Sequence, residues 1–286
     1  MIVDFHTHTF PEKIADGVLE KLQAMACARP YTRATNRDLQ RSMREAGIDY
    51  SVVLPVMTSP KQVEKLNSLA AETNARAVET GILSFGGMHP DYGDYRAELA
   101  RVQSLGLKGI KIHPAYQACD LDDIRFLRIL DRASELGLFV TVHAGFDIGI
   151  PGHDFSSPDH VVHVMQEVGP DKMILAHFGG WRRWDEVEQK VAGLPVYLDT
   201  AFVLGTILPP DGMQRKPGDS WMLSDEAFVR IAKKHGADRI LFATDSPWSD
   251  QQTSLQQIQA LPLSGEEKEK ILGGNAQRLL GLTERM

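Results

Sequence analysis

The sequence is poor in cysteine. Only Cys27 and Cys119 occur among 286 residues, too few for a disulfide framework, and a reducing cytoplasm is the expected setting. Runs of lysine and arginine are absent and the net charge is −7, so nucleic acid is not an expected partner. No apolar stretch approaches the ~20 residues needed to cross a bilayer, so neither is a membrane. Met1, Ile2 and Val3 run straight into Asp4, and no signal peptide is expected. Low-complexity segments and linker-like stretches are missing too, so residues 1–286 read as one domain.

What is present has a regular rhythm. The chain is 43% hydrophobic and 24% charged, an ordinary globular composition with ample length for a large core. Eight short apolar runs read as strands: IVDFH (2–6), YSVVLPV (50–56), TGILSFGGM (80–88), KGIKIH (108–113), FVTVHA (139–144), MILAHF (173–178), VYLDTA (196–201) and ILFATD (240–245). Most lack polar alternation, which suits strands buried on both faces of a parallel sheet.

Helical patterns lie between them. Segments 38–47, 61–77, 123–137, 161–169 and 225–236 carry apolar residues at helical spacing, such as Leu39 and Met43, or Val63, Leu66, Leu69 and Ala70, or Ile124, Leu127, Leu130 and Leu136. Glycines are the expected helix stops. Eight strands alternating with helices predict an α/β protein of the (β/α)₈, TIM-like barrel class in a single domain. The tail KEKILGGNAQRLLGL reads as two short helices broken at Gly273-Gly274.

In such a barrel the chemistry sits at the C-terminal ends of the strands. His6 and His8 end the first strand and, with a period of two, point the same way. His143 ends the fifth, His177 the sixth and Asp245 the eighth. The barrel would gather these distant residues, and three or four His/Asp ligands with an open position make a catalytic zinc-type site. Lys111 and His113 end the fourth strand as candidates for a second metal or for substrate. Each also has a plainer reading, Lys111 as an ion-pairing residue at the rim and His113 as a turn residue before Pro114. His89 reads as structural, Asp199 and Thr200 end the seventh strand, and His153, His160, His163 and His235 read as solvated or packing residues.

The motifs HTH (6–8), HAG (143–145), HFGG (177–180) and TDSPW (244–248) resemble the amidohydrolase superfamily. More narrowly they resemble its amidohydrolase-2 branch, which includes aminocarboxymuconate-semialdehyde decarboxylase. The resemblance runs from His6 to the terminal NAQRLLGL. It implies a distorted barrel with one divalent metal, usually Zn²⁺ and alternatively Mn²⁺, held by His6, His8, His143 and Asp245. His177 would sit beside the water to be activated. A carboxylated Lys111 is the residue that would hold a second metal, and a homodimer is a further implication.

A metal lowers the pKa of its water from 15.7 toward about 7, and Asp245 is placed to take the proton and pass it to a leaving group. Arg29, Arg33 and Arg37 cluster after the first strand, and arginine suits a carboxylate. Arg33 is therefore a candidate substrate contact, the alternative being a solvated loop. Trp248 is a candidate pocket wall, as are Phe178, Trp181, Tyr116 and Phe146. The turn-rich segment 205–222 reads as a lid or a surface loop. The expected function is metal-dependent hydrolysis of a small carboxylated, lactone or amide substrate, and the alternative is zinc-dependent, non-oxidative decarboxylation of a small carboxylic acid. A metal-independent lactonase and an inactive ligand-binding barrel are the remaining readings; the complete ligand set argues against the last.

Overall fold

The computed structural model describes residues 1–215 and 222–283. Nine strands appear among them: β1 (Val3–Thr7), β2 (Tyr50–Val53), β3 (Ile82–Ser84), β4 (Gly86–Gly87), β5 (Gly109–Ile112), β6 (Phe139–Val142), β7 (Met173–Leu175), β8 (Tyr197–Asp199) and β9 (Ile240–Leu241). All pairings are parallel, in the orders β1-β2-β3 and β4 through β9. The third expected strand is thus two pieces separated by Phe85, whose N–H still donates to the Val53 carbonyl at 3.0 Å. Backbone bonds from Phe5 N–H to Phe242 C=O (2.8 Å), Asp245 N–H to His6 C=O (2.8 Å) and His8 N–H to Ser246 C=O (2.7 Å) close the barrel. The eight-stranded expectation is met, with strands shorter than the apolar runs.

Two apolar layers sandwich the barrel wall. Val3, Phe5, Val52, Leu54, Phe85, Phe139, Ile174, Leu241 and Ala243 form an inner cluster drawn from strands all around the barrel. Phe5 meets Phe85 edge-on, with centroids 5.6 Å apart. A larger cluster fills the space between wall and helices. The barrel is therefore a packed core below its mouth, not a pore.

The five anticipated helices are present as Asn36–Ala46, Val63–Asn74, Ile124–Glu135, Pro158–Glu167 and Asp225–His235. Three more of ten residues or longer, Glu12–Ala26, Tyr95–Ser104 and Gln251–Ala260, lie outside the expected segments. Some buried faces also differ from the pattern. Helix Ile124–Glu135 buries Phe126, Ile129, Leu130 and Ala133, while Ile124 is 56% exposed. Helix Val63–Asn74 buries Asn67 and leaves Leu69 exposed. Asn67 is inside for a reason: its side chain accepts from Gly87 N–H (2.8 Å) and donates to Gly87 C=O (3.3 Å) and to Glu98 (2.7 Å). It supplies the partners that short β4 lacks on that side.

The C-terminal tail corrects the expectation of a break. Gly265–Glu269, Lys270–Gly274 and Asn275–Leu280 run on continuously, with the middle piece a π-turn. Gly273 is needed for contact, since a β-carbon there would collide with the Met1 carbonyl. No helix among the described residues is long and apolar enough to cross a membrane.

His235 ends helix Asp225–His235, buried, with Nε2–H donating to the Val196 carbonyl at 3.0 Å and Nδ1 accepting from Gly193 N–H at 3.2 Å. Burial, then the Arg239 guanidinium, pushes it down from 6.5 to about 4. The folded protein thus holds it neutral while the unfolded chain protonates it near 6.5. Its contribution is complete above that pH and is lost as pH falls toward 4, by up to about 3 kcal/mol. Urea unfolding of wild type and His235→Gln from pH 7 to pH 4.5 should show a shallower acid-side loss in the variant; identical slopes would refute the linkage.

Candidate metal centre

The first strand carries a register shift between Asp4 and Thr7: Asp4 pairs with Ser51 and Thr7 with Val53, three steps against two. The consequence is directional. Phe5 points into the barrel, and Asp4 points outward, accepting from Gln251 of the outer helix Gln251–Ala260 at 2.7 Å and from Thr244 at 2.6 Å. Without a bulge, His6 and His8 would follow Asp4 outward. The extra residue turns them inward to the mouth, a recurrent use of bulges beside sites.

Their outer nitrogens are committed. His6 Nδ1–H donates to Asp199 Oδ2 at 2.8 Å, and His8 Nδ1–H donates to the Leu54 carbonyl at 2.9 Å. Burial, then the Lys111 charge, holds His6 well below its ordinary pKa, so it is neutral. A neutral imidazole with Nδ1–H has a bare Nε2. Yet the two Nε2 atoms lie 3.1 Å apart, and Asp245 Oδ1 lies 3.5 Å from His6 Nε2 and 3.0 Å from His8 Nε2. Three lone pairs converge with no proton assigned between them. Tetrahedral donors about 2.0–2.2 Å from a zinc-type ion stand about 3.3–3.6 Å apart, close to this triangle. The donor set fits a divalent cation.

A further line of imidazoles extends from the triangle. The His177 ring centroid is 5.5 Å from His6 and 4.7 Å from His143. His177 Nδ1–H donates to the Ala201 carbonyl at 2.9 Å, and its Nε2 faces His143 Nδ1 at 3.0 Å. His177 (φ 57°) and Asp245 (φ 63°) both hold left-handed backbone, a strain typical of functional positions. His143 is not gathered into the triangle. It groups instead with His113 and Asp147, whose Oδ2 is 3.6 Å from His113 Nε2 and 3.7 Å from His143 Nε2. The His113 and His143 rings stack at 4.0 Å and 14°. Lone pairs lie in the ring plane, so nearly parallel rings do not aim at one ion. His113 Nδ1 also accepts from Tyr116 N–H at 3.3 Å, leaving its proton on Nε2. We read this group as a stacked, electrostatically paired support rather than a second metal site.

Other expected residues are placed differently. Arg33 makes a bidentate pair with Asp16, at 3.0 and 2.6 Å, and both side chains are about two-thirds exposed at 65% and 68%. Its charge is engaged at the surface by Asp16. Trp248 is half-buried against the apolar core on the turn after Asp245, its N–H donating to the Asp245 carbonyl at 2.8 Å. Phe178 is fully buried and stacked on Phe228 at 4.2 Å, so it is a core residue and not a pocket wall. Lys111 is buried inside the barrel without a hydrogen-bond partner, which corrects the rim ion-pair reading. Within the expected lid 205–222, Leu208 C=O accepts from Arg29 N–H at 2.8 Å and Arg215 donates to the Ala26 and Cys27 carbonyls at 3.0 and 2.9 Å. Residues 216–221 lie outside the described residues.

Sequence reasoning left two carboxylates without a role. Asp199 both fixes His6 and accepts from the backbone N–H groups of His177 (2.9 Å) and Ala201 (3.0 Å). Its signal was a lone acid ending a buried strand. Asp147 lies in a loop and had no signal.

The family model described as Amidohydrolase matches residues 3–282. No curated protein matches the sequence closely enough to count as a relative. Among solved structures, the chain resembles 5-carboxyvanillate decarboxylase from Sphingomonas paucimobilis at 17% identity and TM-score 0.67, covering 99% of each chain. It resembles a dihydroxybenzoic acid decarboxylase from a Polaromonas species, with bound manganese and an inhibitor, at 16% identity and TM-score 0.67, covering 98% of this chain and 97% of that one. A candidate 2-pyrone-4,6-dicarboxylic acid hydrolase from Pseudomonas putida is similar at 19% identity and TM-score 0.65, with 98% and 97% covered.

If the Asp199 bond fixes the His6 tautomer, removing its charge must weaken metal affinity. Asp199→Asn should raise the dissociation constant for Zn²⁺ or Mn²⁺ about 10- to 100-fold in a chelating-dye competition, the usual cost of losing such a partner. Unchanged affinity in a folded variant would deny Asp199 that role.

Proposed function

The chain belongs to the amidohydrolase family, and from that premise we propose a metal-dependent hydrolase that activates water against a small carboxylated, lactone or amide substrate. The observation that carries the proposal is the meeting of three lone pairs, on His6, His8 and Asp245, with both Nδ1 protons turned away to Asp199 and Leu54. His6, His8 and Asp245 would hold one divalent metal, Zn²⁺ or Mn²⁺; His143, the fourth ligand that the resemblance implies, lies outside their triangle and would have to move to join them. When bound, the metal supplies Lewis acidity, which makes water a stronger acid and polarises a carbonyl.

The remaining roles belong to side chains of the chain. Asp245 Oδ1 faces the two histidines, so Oδ2 takes the proton of the attacking water and returns it to the leaving group. His177 keeps its proton on Nδ1, toward the Ala201 carbonyl, and its Nε2 orients that water as an acceptor. The wall that carries these groups is packed with apolar residues below the mouth, which keeps bulk water from the reacting centre.

A second reading is non-oxidative decarboxylation of a small carboxylic acid. It is supported by decarboxylases among the similar structures, those from Sphingomonas paucimobilis and Polaromonas included. The same Asp245 oxygen would then deliver its proton to carbon. Product analysis separates the two: released carbon dioxide marks the lyase, and acid production without it marks the hydrolase.

Elemental analysis of wild type beside His6→Ala is the direct test. About one equivalent of zinc or manganese per chain, lost in the variant, is expected; a metal-free wild type never exposed to chelator would defeat the proposal. His177→Ala should keep its metal and lose about 10²- to 10⁴-fold in turnover, the span for a proton-handling group.

A further inference from the structure

The seam that closes the barrel between β1 and the end of β9 is interrupted just below the site. Phe5 N–H donates to the Phe242 carbonyl at 2.8 Å, and the next backbone bond across the seam is the one from Asp245 N–H to the His6 carbonyl at 2.8 Å. Between them, two backbone N–H groups turn to a side chain. Thr244 N–H donates to Asp4 Oδ1 at 3.0 Å, and His6 N–H reaches the same oxygen at 3.3 Å. Asp4 Oδ2 accepts from Thr244 Oγ1–H at 2.6 Å and from Gln251 Nε2–H at 2.7 Å. Asp4, His6, Thr244 and Gln251 are all buried, where a donor without a partner is costly. One carboxyl group thus fills a gap that the backbone ladder leaves open.

The donors it gathers flank the candidate ligands. His6 N–H belongs to the peptide that enters His6, and Thr244 stands immediately before Asp245. Thr244 Oγ1 also accepts from Ser246 N–H at 3.1 Å, so the network holds the turn on both sides of Asp245. On its far side, Gln251 donates to Ser51 Oγ of β2 at 3.1 Å. Side chains alone therefore join β1, β2, the Asp245 turn and the outer helix Gln251–Ala260. Carboxyl oxygens suit this place because an ionised aspartate only accepts, whereas the isosteric amide of asparagine keeps one oxygen and sets an NH₂ against donors on the other side. Ligand distances in a metal site are held to about 0.2 Å, so a small slip along this seam would open the triangle of His6, His8 and Asp245.

We propose that Asp4 is a positioning residue of the metal centre. By holding His6 N–H and Thr244 N–H on one oxygen, it sets the separation between the strand that carries His6 and His8 and the turn that carries Asp245. The inference rests on the metal reading of the site and is independent of whether the reaction is hydrolysis or decarboxylation.

Co²⁺ is the probe, titrated into chelator-stripped wild type, Asp4→Asn, Thr244→Val and Asn275→Ala, with its visible absorption as the report of donor geometry. Asn275 is the stability control: it is buried and donates to the Ala237 and Ile240 carbonyls at 2.7 and 2.8 Å, at the opposite end of β9. Asp4→Asn should weaken Co²⁺ binding at least about tenfold and shift the absorption, and Thr244→Val should weaken it about three- to tenfold. Asn275→Ala should melt below wild type yet bind Co²⁺ within about twofold of it, with the same spectrum. Wild-type affinity and spectrum in Asp4→Asn overturn the proposal, as does an equal loss of affinity in Asn275→Ala, which would trace the effect to general destabilisation. Should Asp4→Asn not fold, Thr244→Val decides, and unchanged affinity and spectrum in it overturn the proposal. A wild type that binds no Co²⁺ overturns the metal reading and this inference together, whereas a wild type that binds it and is matched by Asp4→Asn overturns this inference alone.

Discussion

The mouth of this barrel depends on what two imidazoles do with their backs. His6 gives its Nδ1 proton to Asp199 and His8 gives its own to Leu54 C=O. Those bonds fix both tautomers, and a fixed tautomer is what leaves Nε2 bare. Bare nitrogens at 3.1 Å, with a carboxylate oxygen 3.0 Å from one of them, form a donor set that suits one divalent cation. The fold holds them together because the barrel closure ties β1 to the turn that bears Asp245 through His6 C=O and Ser246 C=O.

Backbone strain is concentrated at the same level. His177, Phe178, Phe202 and Asp245 all hold positive φ without being glycine, each at a cost of order 1–3 kcal/mol. They sit where expected strands leave the ladder and turn away. A residue still in the ladder alternates between inside and outside. Leaving it frees the side chain to aim at the axis, which is how strands as short as β7 and β9 deliver His177 and Asp245. The packed floor beneath, with Phe5, Phe85 and Phe139, supplies the rigidity that holds such conformations.

Charge is handled in two ways. At the surface, arginines such as Arg33 find carboxylates and are screened by water, where such pairs contribute little. Inside the barrel, Lys111 finds none. A chain optimised for stability alone would not keep that lysine, so stability and site chemistry pull in opposite directions along β5.

The sequence by itself determined the architecture and most of the chemistry. Apolar runs without alternation specified buried parallel strands, and the histidines and aspartates that ended them marked His6, His8, His177 and Asp245, because burial leaves so few places for such residues. Some elements were beyond it: helix Gln251–Ala260 with its sparse apolar residues, the continuous tail helix through Gly273, and Asn67, whose burial answers to an unpaired strand edge. Only the tertiary structure decided the rest. The bulge after Asp4 turned two histidines inward, which no period of two can foretell. Asp199 became the partner of His6 across 193 residues, Arg33 was drawn to Asp16, and Lys111 was placed beside Thr141 with neither satisfied. Each of these is settled by which distant group lies within about 3 Å, and local sequence carries no record of that distance.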